Sequence, residues 1–244
     1  MAIHIRTFIG GREISRQQVM EWERRRALVV LKKLGGQPLG NEDLKTLNQQ
    51  VLDRKLMLGS DGIRRLLQNE LALSQPVANF VARISCGFRR YSVTELLVDR
   101  GSAREFVDWF IQRNELNDET TMLAASPDHY VIQKNADGAQ EVIETTGGSP
   151  LVGKFMIDYL DLSSLRSSPD SRYPYQAAGV ARSEDGLALG GVRHQFRDEG
   201  FGFRAKLLVE FPMMIMPGAV STHRWHLAGE FSNWIEAAFA SRSS

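Results

Sequence analysis

The chain has 244 residues, of which 43% are hydrophobic, and its formal net charge is +1. It is long enough to bury a core, either as one large domain or as two small ones. Acidic and basic residues are mixed along the chain, so the charge pattern gives no electrostatic case for binding nucleic acid or an anionic membrane surface.

Cysteine content and hydropathy together indicate a cytoplasmic protein. Cys86 is the single cysteine, which excludes an intrachain disulfide and suits a reducing compartment. The first residues lack the apolar stretch of a signal peptide. The longest charge-free stretch near the C-terminus, Phe211 to His223, is short and is interrupted by Pro212 and Pro217, so we do not expect it to span a bilayer.

Residues 1–88 are predicted to form a helical segment. Ser15 and Gln18 make a capping-box pattern before an amphipathic helix, and Gly35 follows its last apolar residue. Three later helices are predicted to begin at residues suited to that position: Asn41, Ser60 and Ser74. No chemical motif stands out here, so we interpret the segment as a packing or oligomerisation element, which leaves a homo-oligomer open.

From residue 89 onward the pattern changes to strands joined by short turns. Tyr91 to Val98 is rich in strand-forming residues, and a second capping box begins a helix at Ser102. The pairs Asp137-Gly138 and Asp185-Gly186 are both typical of tight hairpin turns. This part of the chain therefore predicts antiparallel hairpins.

The last strand and the last helix are the clearest predicted elements. Apolar and charged residues alternate from Phe203 to Phe211, so Leu207 is expected inside and Glu210 outside. A long helix is predicted from about Ala219 to Ala240. A strand, a helix, antiparallel hairpins and a long final helix are typical of a helix-grip fold, in which a curved sheet wraps that helix and encloses an apolar cavity. We therefore predict an α+β chain with a helix-grip domain over residues 89–244.

A histidine and a glutamate on the last predicted helix suggest a metal site. His226 and Glu230 are four residues apart, so they lie on one helical face, one turn from each other. An imidazole and a carboxylate in this arrangement can hold one divalent ion, because zinc accepts nitrogen and oxygen donors. Two further ligands would be needed. The alternative is a solvated or hydrogen-bonded pair without a metal.

The sheet offers a second histidine and glutamate, and the register of one hairpin decides whether they meet. If Asp137-Gly138 is a two-residue turn, His129 lies diagonal to Glu144 on the same face. A four-residue loop places the two residues directly opposite each other, whereas a three-residue loop separates them. Two of these three registers predict a His–Glu pair on one side of the sheet.

All four residues could meet in one cavity, because the final helix would cross the concave side of the sheet. Two imidazoles and two carboxylates form a plausible zinc set, or a manganese or iron set if positions stay open. The rival interpretation is that His129 and Glu144 form an exposed cross-strand pair of little energetic value.

His194 is a further polar residue on a predicted inner face, which it shares with Val192 and Phe196. A histidine there is either a hydrogen-bonded core residue or a group that binds or protonates a substrate. His223 and Asn233 continue the polar stripe of the last helix, so they could orient the metal ligands.

The segment from His226 to Asn233 resembles the C-terminal helix motif of the diacetylphloroglucinol hydrolase and phloretin hydrolase family, and the resemblance covers residues 90–244 at most. The resemblance implies a helix-grip domain of the Bet v 1 and START-like class and a zinc-dependent carbon–carbon hydrolase. It also implies that His226 and Glu230 share the zinc with a histidine and a glutamate from the sheet, for which His129 and Glu144 are the candidates.

The expected function is therefore a metal-dependent hydrolase of an acylated phenol or a similar β-diketone-like compound, with zinc or another divalent ion as cofactor. His194, Tyr130 or Tyr175 would protonate the leaving ring carbon. The rival is a helix-grip protein of the carrier or cyclase-like type, which binds a hydrophobic small molecule without metal. A third possibility is an interaction protein whose helical first third is the working part.

Overall fold

The computed structural model describes residues 3–240, and this part of the chain contains one antiparallel sheet of nine strands. The strands are β1 Ile5–Ile9, β2 Arg12–Ile14, β3 Arg89–Val98, β4 His129–Lys134, β5 Gln140–Glu144, β6 Gly153–Asp158, β7 Tyr175–Arg182, β8 Ala188–Glu199 and β9 Gly202–Pro212. Their order across the sheet is β2-β1-β3-β9-β8-β7-β6-β5-β4. From β4 to β9 every strand pairs with its neighbour in sequence, as expected for consecutive hairpins.

Five α-helices pack around the sheet within residues 3–240. They are α1 Arg16–Lys33, α2 Leu44–Ile84, α3 Ala103–Glu115, α4 Glu119–Ala124 and α5 Pro217–Ala240, and a short 3-10 turn covers Thr146–Gly148. The α+β class, the curved antiparallel sheet and the long C-terminal helix agree with the sequence prediction. The capping boxes that begin α1 at Ser15 and α3 at Ser102 are both formed.

The beginning of the chain differs from the sequence prediction. Residues 5–14 form the hairpin β1–β2, and β1 pairs with β3, so this hairpin belongs to the same sheet as the later strands. The predicted helix start at Ser60 agrees with the structure, because Gly59, with φ +62°, is non-helical and divides α2 into two helices at a kink. The predicted start at Ser74 is wrong, because the helix continues through Pro76 to Ile84.

The main core lies between α5, α3 and the concave face of the sheet. Phe231 and Ile235 of α5 are buried there against Phe106 of α3 and Leu207 of β9. Leu207 is therefore inside, as predicted. Glu210 is not outside in water: it is buried, and its carboxylate accepts hydrogen bonds from the backbone N–H groups of the loop that covers it.

A second apolar cluster joins the first helices to the sheet. Val30 of α1 and Leu47 and Ile63 of α2 pack with Tyr130 and Ile143 of β4 and β5. The helical segment therefore lies against the strands that carry His129 and Glu144. The division of the chain at residue 88 stays a prediction.

Candidate metal centre

The helical half of the candidate site follows directly from sequence spacing. His226 and Glu230 lie one turn apart on α5, and 3.4 Å separates Nε2 of His226 from Oε2 of Glu230. Both side chains are buried, with 1% and 7% of their surface exposed. A solvated surface pair is therefore excluded for these two residues.

The sheet half of the site depends on a β-bulge. The β4–β5 turn is a three-residue loop, since the backbone N–H of Asn135 donates to Ala139, and this register alone would misalign the two residues. The pairing then shifts between His129 and Val131, so that Tyr130 is the extra residue of a bulge. His129 consequently lies directly opposite Glu144. The predicted pair is present, although the predicted two-residue and four-residue turns are not.

Both carboxylates lie close to the Nε2 atoms of the two histidines. Nε2 of His129 lies 2.9 Å from Oε2 of Glu230 and 3.2 Å from Nε2 of His226. Oε2 of Glu144 lies 3.8 and 3.7 Å from the same two nitrogens. Donor atoms about 2.0–2.1 Å from a tetrahedral ion are about 3.3 Å apart, and the observed separations bracket that value. The residues present therefore fit a divalent ion.

A backbone contact fixes the orientation of His129. Its Nδ1 lies 3.4 Å from the carbonyl oxygen of Met122, which can only accept a hydrogen bond. Nδ1 therefore donates to this carbonyl, and Nε2 faces Nε2 of His226 and the Glu230 carboxylate. Orientation of one ring nitrogen by a backbone carbonyl is the usual arrangement of a metal-binding histidine.

The segment before His129 is held by two basic side chains from the first helices. Arg26 of α1 donates three hydrogen bonds of 2.8 to 3.2 Å to the buried Asp128 carboxylate. Lys55 of α2 is almost fully buried, and its ammonium donates to the carbonyl oxygens of Leu123 and Ser126. These contacts fix the start of β4, which sets the position of the His129 side chain.

The charges of the cluster are uneven in the absence of a metal. Burial lowers the pKa of His226, but the Glu230 and Glu144 carboxylates raise it on balance to about 9. Burial raises the pKa of Glu230, but the two histidines bring it below its ordinary value. Burial raises the pKa of Glu144 above its ordinary value. Without a metal, Glu230 and His226 therefore form an ion pair, and the buried Glu144 carboxylate is less well stabilised.

His223 adds a fifth donor that sequence analysis treated only as an orienting group. Its ligand atom, together with those of Glu144 and His226, forms a second set of three within 4.8 Å of one another. Its Nδ1 lies 3.1 Å from the Ser92 hydroxyl, so the ring is held from the sheet. Asn233 does not orient a ligand: its amide donates to Glu23 and to the carbonyl oxygen of Ala125.

The loop after Glu144 packs tightly on α5. Gly147 has φ +56°, and an added Cβ there would lie 2.4 Å from the backbone nitrogen of His223. Only a glycine allows this approach, because a side chain would collide with the helix backbone. Gly147 thus fixes the distance between the strand that carries Glu144 and the helix that carries His226.

All four candidate ligands line a cavity of about 490 Å³. A volume of this size accommodates a small organic molecule. Much of its wall is apolar, with Val142, Ile157 and Val192 among the lining residues. The exposed side chains of Val77 and Met214 also line it, so the cavity opens to the surface beside the second half of α2.

His194 lines the same cavity, as expected from its predicted position on the inner face of its strand. It is buried, and its ring centroid lies 4.7 Å from that of Phe231. Its Nδ1 has no hydrogen-bond partner within the described part of the chain. Burial lowers the pKa of His194 to about 4, so the ring is neutral at pH 7. A buried neutral imidazole with an unpaired nitrogen can exchange a proton or a hydrogen bond with a ligand.

The two tyrosines that were candidate proton donors lie elsewhere. Tyr130 is the bulge residue, and it is buried in the cluster with α1 and α2, where its hydroxyl donates a hydrogen bond to Thr145, whose own proton goes to the Asp128 carboxylate. Tyr175 packs against the main core on β7. Neither residue is among the described residues that line the cavity. The tyrosine that does line it is Tyr159, whose position after β6 gave no signal in the sequence.

Comparisons of the chain with protein-family models, with curated proteins and with solved structures found no match. Among residues 3–240, no helix has both the length and the apolar character needed to cross a membrane. The geometry of the buried site is therefore the basis for a functional proposal.

Proposed function

We propose that this protein is a metal-dependent hydrolase that cleaves a carbon–carbon bond between an acyl group and an aromatic ring, or a β-diketone-like bond, in a small hydrophobic compound. The observation that carries the proposal is the convergence of His129, Glu144, His226 and Glu230 on the wall of an apolar cavity. Such a cavity suits an aromatic substrate, and the donors suit an ion that acts on its carbonyl group.

Three features support zinc and the helix-grip assignment. Two imidazole nitrogens and two carboxylate oxygens, with each oxygen within 3.8 Å of both nitrogens, are a donor set that zinc accepts. The sheet, cavity and final helix are compatible with a Bet v 1-like domain. The segment from His226 to Asn233 resembles the final helix of diacetylphloroglucinol hydrolase and phloretin hydrolase, and cytoplasmic action would suit such an enzyme.

The reaction requires water to add its oxygen to the acyl carbon and a proton to reach the ring carbon that leaves. A divalent ion at the site would polarise the acyl carbonyl and lower the pKa of water. His194 begins neutral, so it can accept the proton that the attacking water loses and give it to the ring carbon. The apolar wall excludes bulk water from the leaving ring.

A second candidate is a carrier or cyclase-like protein of the same fold that binds a hydrophobic molecule without metal. One specific observation favours it. Oε2 of Glu230 lies within ion-pair distance of both His129 and His226, so added protons can satisfy much of the cluster without a metal.

Elemental analysis of protein purified without chelators separates the two candidates. We expect zinc or a similar divalent ion near one per chain, and we expect His226→Ala and Glu230→Ala each to remove it. His4→Ala is the matched control, because His4 is exposed and is not among the described residues that line the cavity. Metal-free wild-type protein, or variants that keep the metal, would contradict the proposal. The metal-containing protein should then release a carboxylic acid and a deacylated phenol from acylated phenols.

A further inference from the structure

An exposed apolar surface lies beside the mouth of the cavity. Its six side chains each keep between 44% and 69% of their surface exposed: Val77, Phe80, Ile84, Phe88, Met214 and Met216. We call this surface the mouth patch. Val77, Met214 and Met216 also line the cavity, so the patch is continuous with the cavity wall. Monomers rarely leave so many large apolar side chains together in water, so a patch of this kind marks an interaction surface.

Two segments far apart in the chain build the mouth patch. The three patch residues of α2 recur at spacings of three and four, so they form one stripe on the outer face of that helix. The loop between β9 and α5 lies beside the end of α2, because the backbone N–H of Met214 donates to the Ser85 hydroxyl at 3.0 Å. The backbone N–H of Met213 donates to the carbonyl oxygen of Phe88, also at 3.0 Å. Backbone hydrogen bonds therefore join the two segments into one surface.

The charges around the mouth patch are predominantly of one sign. Neither Asp nor Glu occurs in the three segments that form or border it, which are residues 71–94, 162–169 and 211–229. Arg83 and Arg90 flank the end of α2, and Arg166 reaches the same place, where its Nε donates to the carbonyl oxygen of Gly87. Asp185 is the one described carboxylate that pairs with any of these three arginines, at 3.7 Å from Arg83, and both of these side chains are exposed. Exposed pairs are weak, so the rim of the patch is basic.

We propose that the mouth patch docks on the surface of an anionic phospholipid bilayer, so that an apolar ligand passes from the membrane directly into the cavity. Such a bilayer presents acidic headgroups above an apolar interior, which matches a basic rim around apolar side chains. A second copy of the chain fits less well, because a twofold contact would bring the same arginines of both copies together. Docking needs no bound metal, so the inference is independent of the proposed hydrolase.

The composition of the whole chain conceals this rim. The formal net charge is only +1, because acidic residues elsewhere balance the arginines. The three acid-free segments are far apart in sequence and come together only in the fold. The net charge is an average over the chain, so it carries no information about this surface.

Vesicle co-sedimentation of the full-length protein tests the inference. The vesicles contain phosphatidylcholine alone, or phosphatidylcholine with roughly one third phosphatidylglycerol, which supplies the anionic headgroups. The wild type should bind the anionic vesicles about tenfold more tightly than the neutral ones, because its basic rim is attracted to the headgroups. Phe88→Ser and Met214→Ser should each weaken this binding about tenfold, because each removes an apolar side chain from the bilayer.

The controls are exposed residues of the same types elsewhere in the molecule. Phe201 is 99% exposed in the β8–β9 turn, at the opposite end of the 11-residue strand β9 from the patch, so Phe201→Ser should leave vesicle binding unchanged. Arg83→Gln combined with Arg90→Gln should remove most of the preference for anionic vesicles. Arg104→Gln, at an exposed position of α3, should keep that preference. Thermal unfolding should show that the patch variants are folded, because their altered side chains are exposed.

Three results would overturn the inference. The first is wild-type protein that does not bind the anionic vesicles. The second is an equal loss of binding in Phe201→Ser and Phe88→Ser, which would mean that any exposed aromatic side chain has this effect. The third comes from light scattering of the same samples without lipid: a wild-type dimer that Phe88→Ser dissociates would assign the patch to a second copy of the chain.

Discussion

The Nε2 atoms of His129 and His226 lie 3.2 Å apart, although the two residues are 97 positions apart in the chain. One ring comes from the start of a strand and the other from the final helix. Glu230 lies within 3.4 Å of both nitrogens. Nitrogen and carboxylate oxygen atoms this close together share either protons or a metal ion. The first prediction concerns the replacement of a proton by a metal ion.

Metal binding should displace a proton. The neighbouring carboxylates raise the pKa of His226 to about 9, so this ring holds at pH 7 a proton that a metal ion must replace. Zinc affinity of the metal-free protein should therefore fall as the pH falls. Calorimetric titrations at pH 7 in two buffers of different ionisation enthalpy should show release of about one proton. Binding without proton release would contradict the assignment of His226 as a ligand.

Gly147→Ala should disturb the candidate metal centre, although Gly147 is not one of its ligands. The new Cβ would lie 2.4 Å from the backbone nitrogen of His223. Gly138→Ala is the matched control, since Gly138 also has a positive φ but its Cβ would meet nothing closer than 3.9 Å. Chemical denaturation should show Gly147→Ala to be less stable than the control by about 1–3 kcal/mol, the usual cost of overpacking. Equal losses would mean that the loop does not set the position of α5.

His194→Ala should lower turnover of a cleaved acylated phenol by roughly 10²–10⁴, the range for a group that transfers protons in the reaction. Metal content should stay at the wild-type value, because none of the donor separations that define the centre involves His194. Steady-state kinetics and elemental analysis of the same preparation check both statements. Unchanged turnover with intact metal would reduce His194 to a core residue.

Leu207→Ala should test the packing that supports α5. Leu207 is fully buried on β9 within the main core, so its truncation should cost about 2–5 kcal/mol of unfolding free energy. The adjacent Leu208 is only partly buried and faces the other side of the strand, so Leu208→Ala should cost clearly less. A midpoint of denaturation that Leu207→Ala leaves unchanged would contradict the described core.

Lys55 should make the free energy of unfolding increase as the pH rises from about 7 to about 10. Burial lowers its pKa from 10.5 to about 7. Between these values the unfolded chain binds a proton that the folded chain does not, so the contribution of Lys55 to stability increases as the pH rises from about 7 to about 10. The difference in unfolding free energy between the wild type and Lys55→Met should therefore shift in favour of the wild type over that range. Lys45→Met, at an exposed position of the same helix, should show no such shift.

The amino-acid sequence alone determines the local features of this protein. The spacing of His226 and Glu230 puts them on one face of α5, because the period of an α-helix is set by its backbone. The alternation from Phe203 to Leu208 and the capping box at Ser15 are equally local, and both are present, whereas the alternation fails at Glu210. Short-range periodicity and capping need no knowledge of the rest of the chain, and they were enough to indicate an α+β fold with a long final helix.

Only the tertiary structure decides which distant residues meet. The pairing of His129 with Glu144 requires a bulge at Tyr130, and no pattern in the sequence predicts that bulge. The same bulge places the Tyr130 side chain against α1 and α2, outside the cavity in which its chemistry was expected. Strand β1 needs β3 as a partner, and Tyr159 reaches the cavity only because β6 follows β5 around the curved sheet. These features depend on packing between segments that are far apart in sequence. Such packing produces no periodic pattern of residues from which it could be predicted.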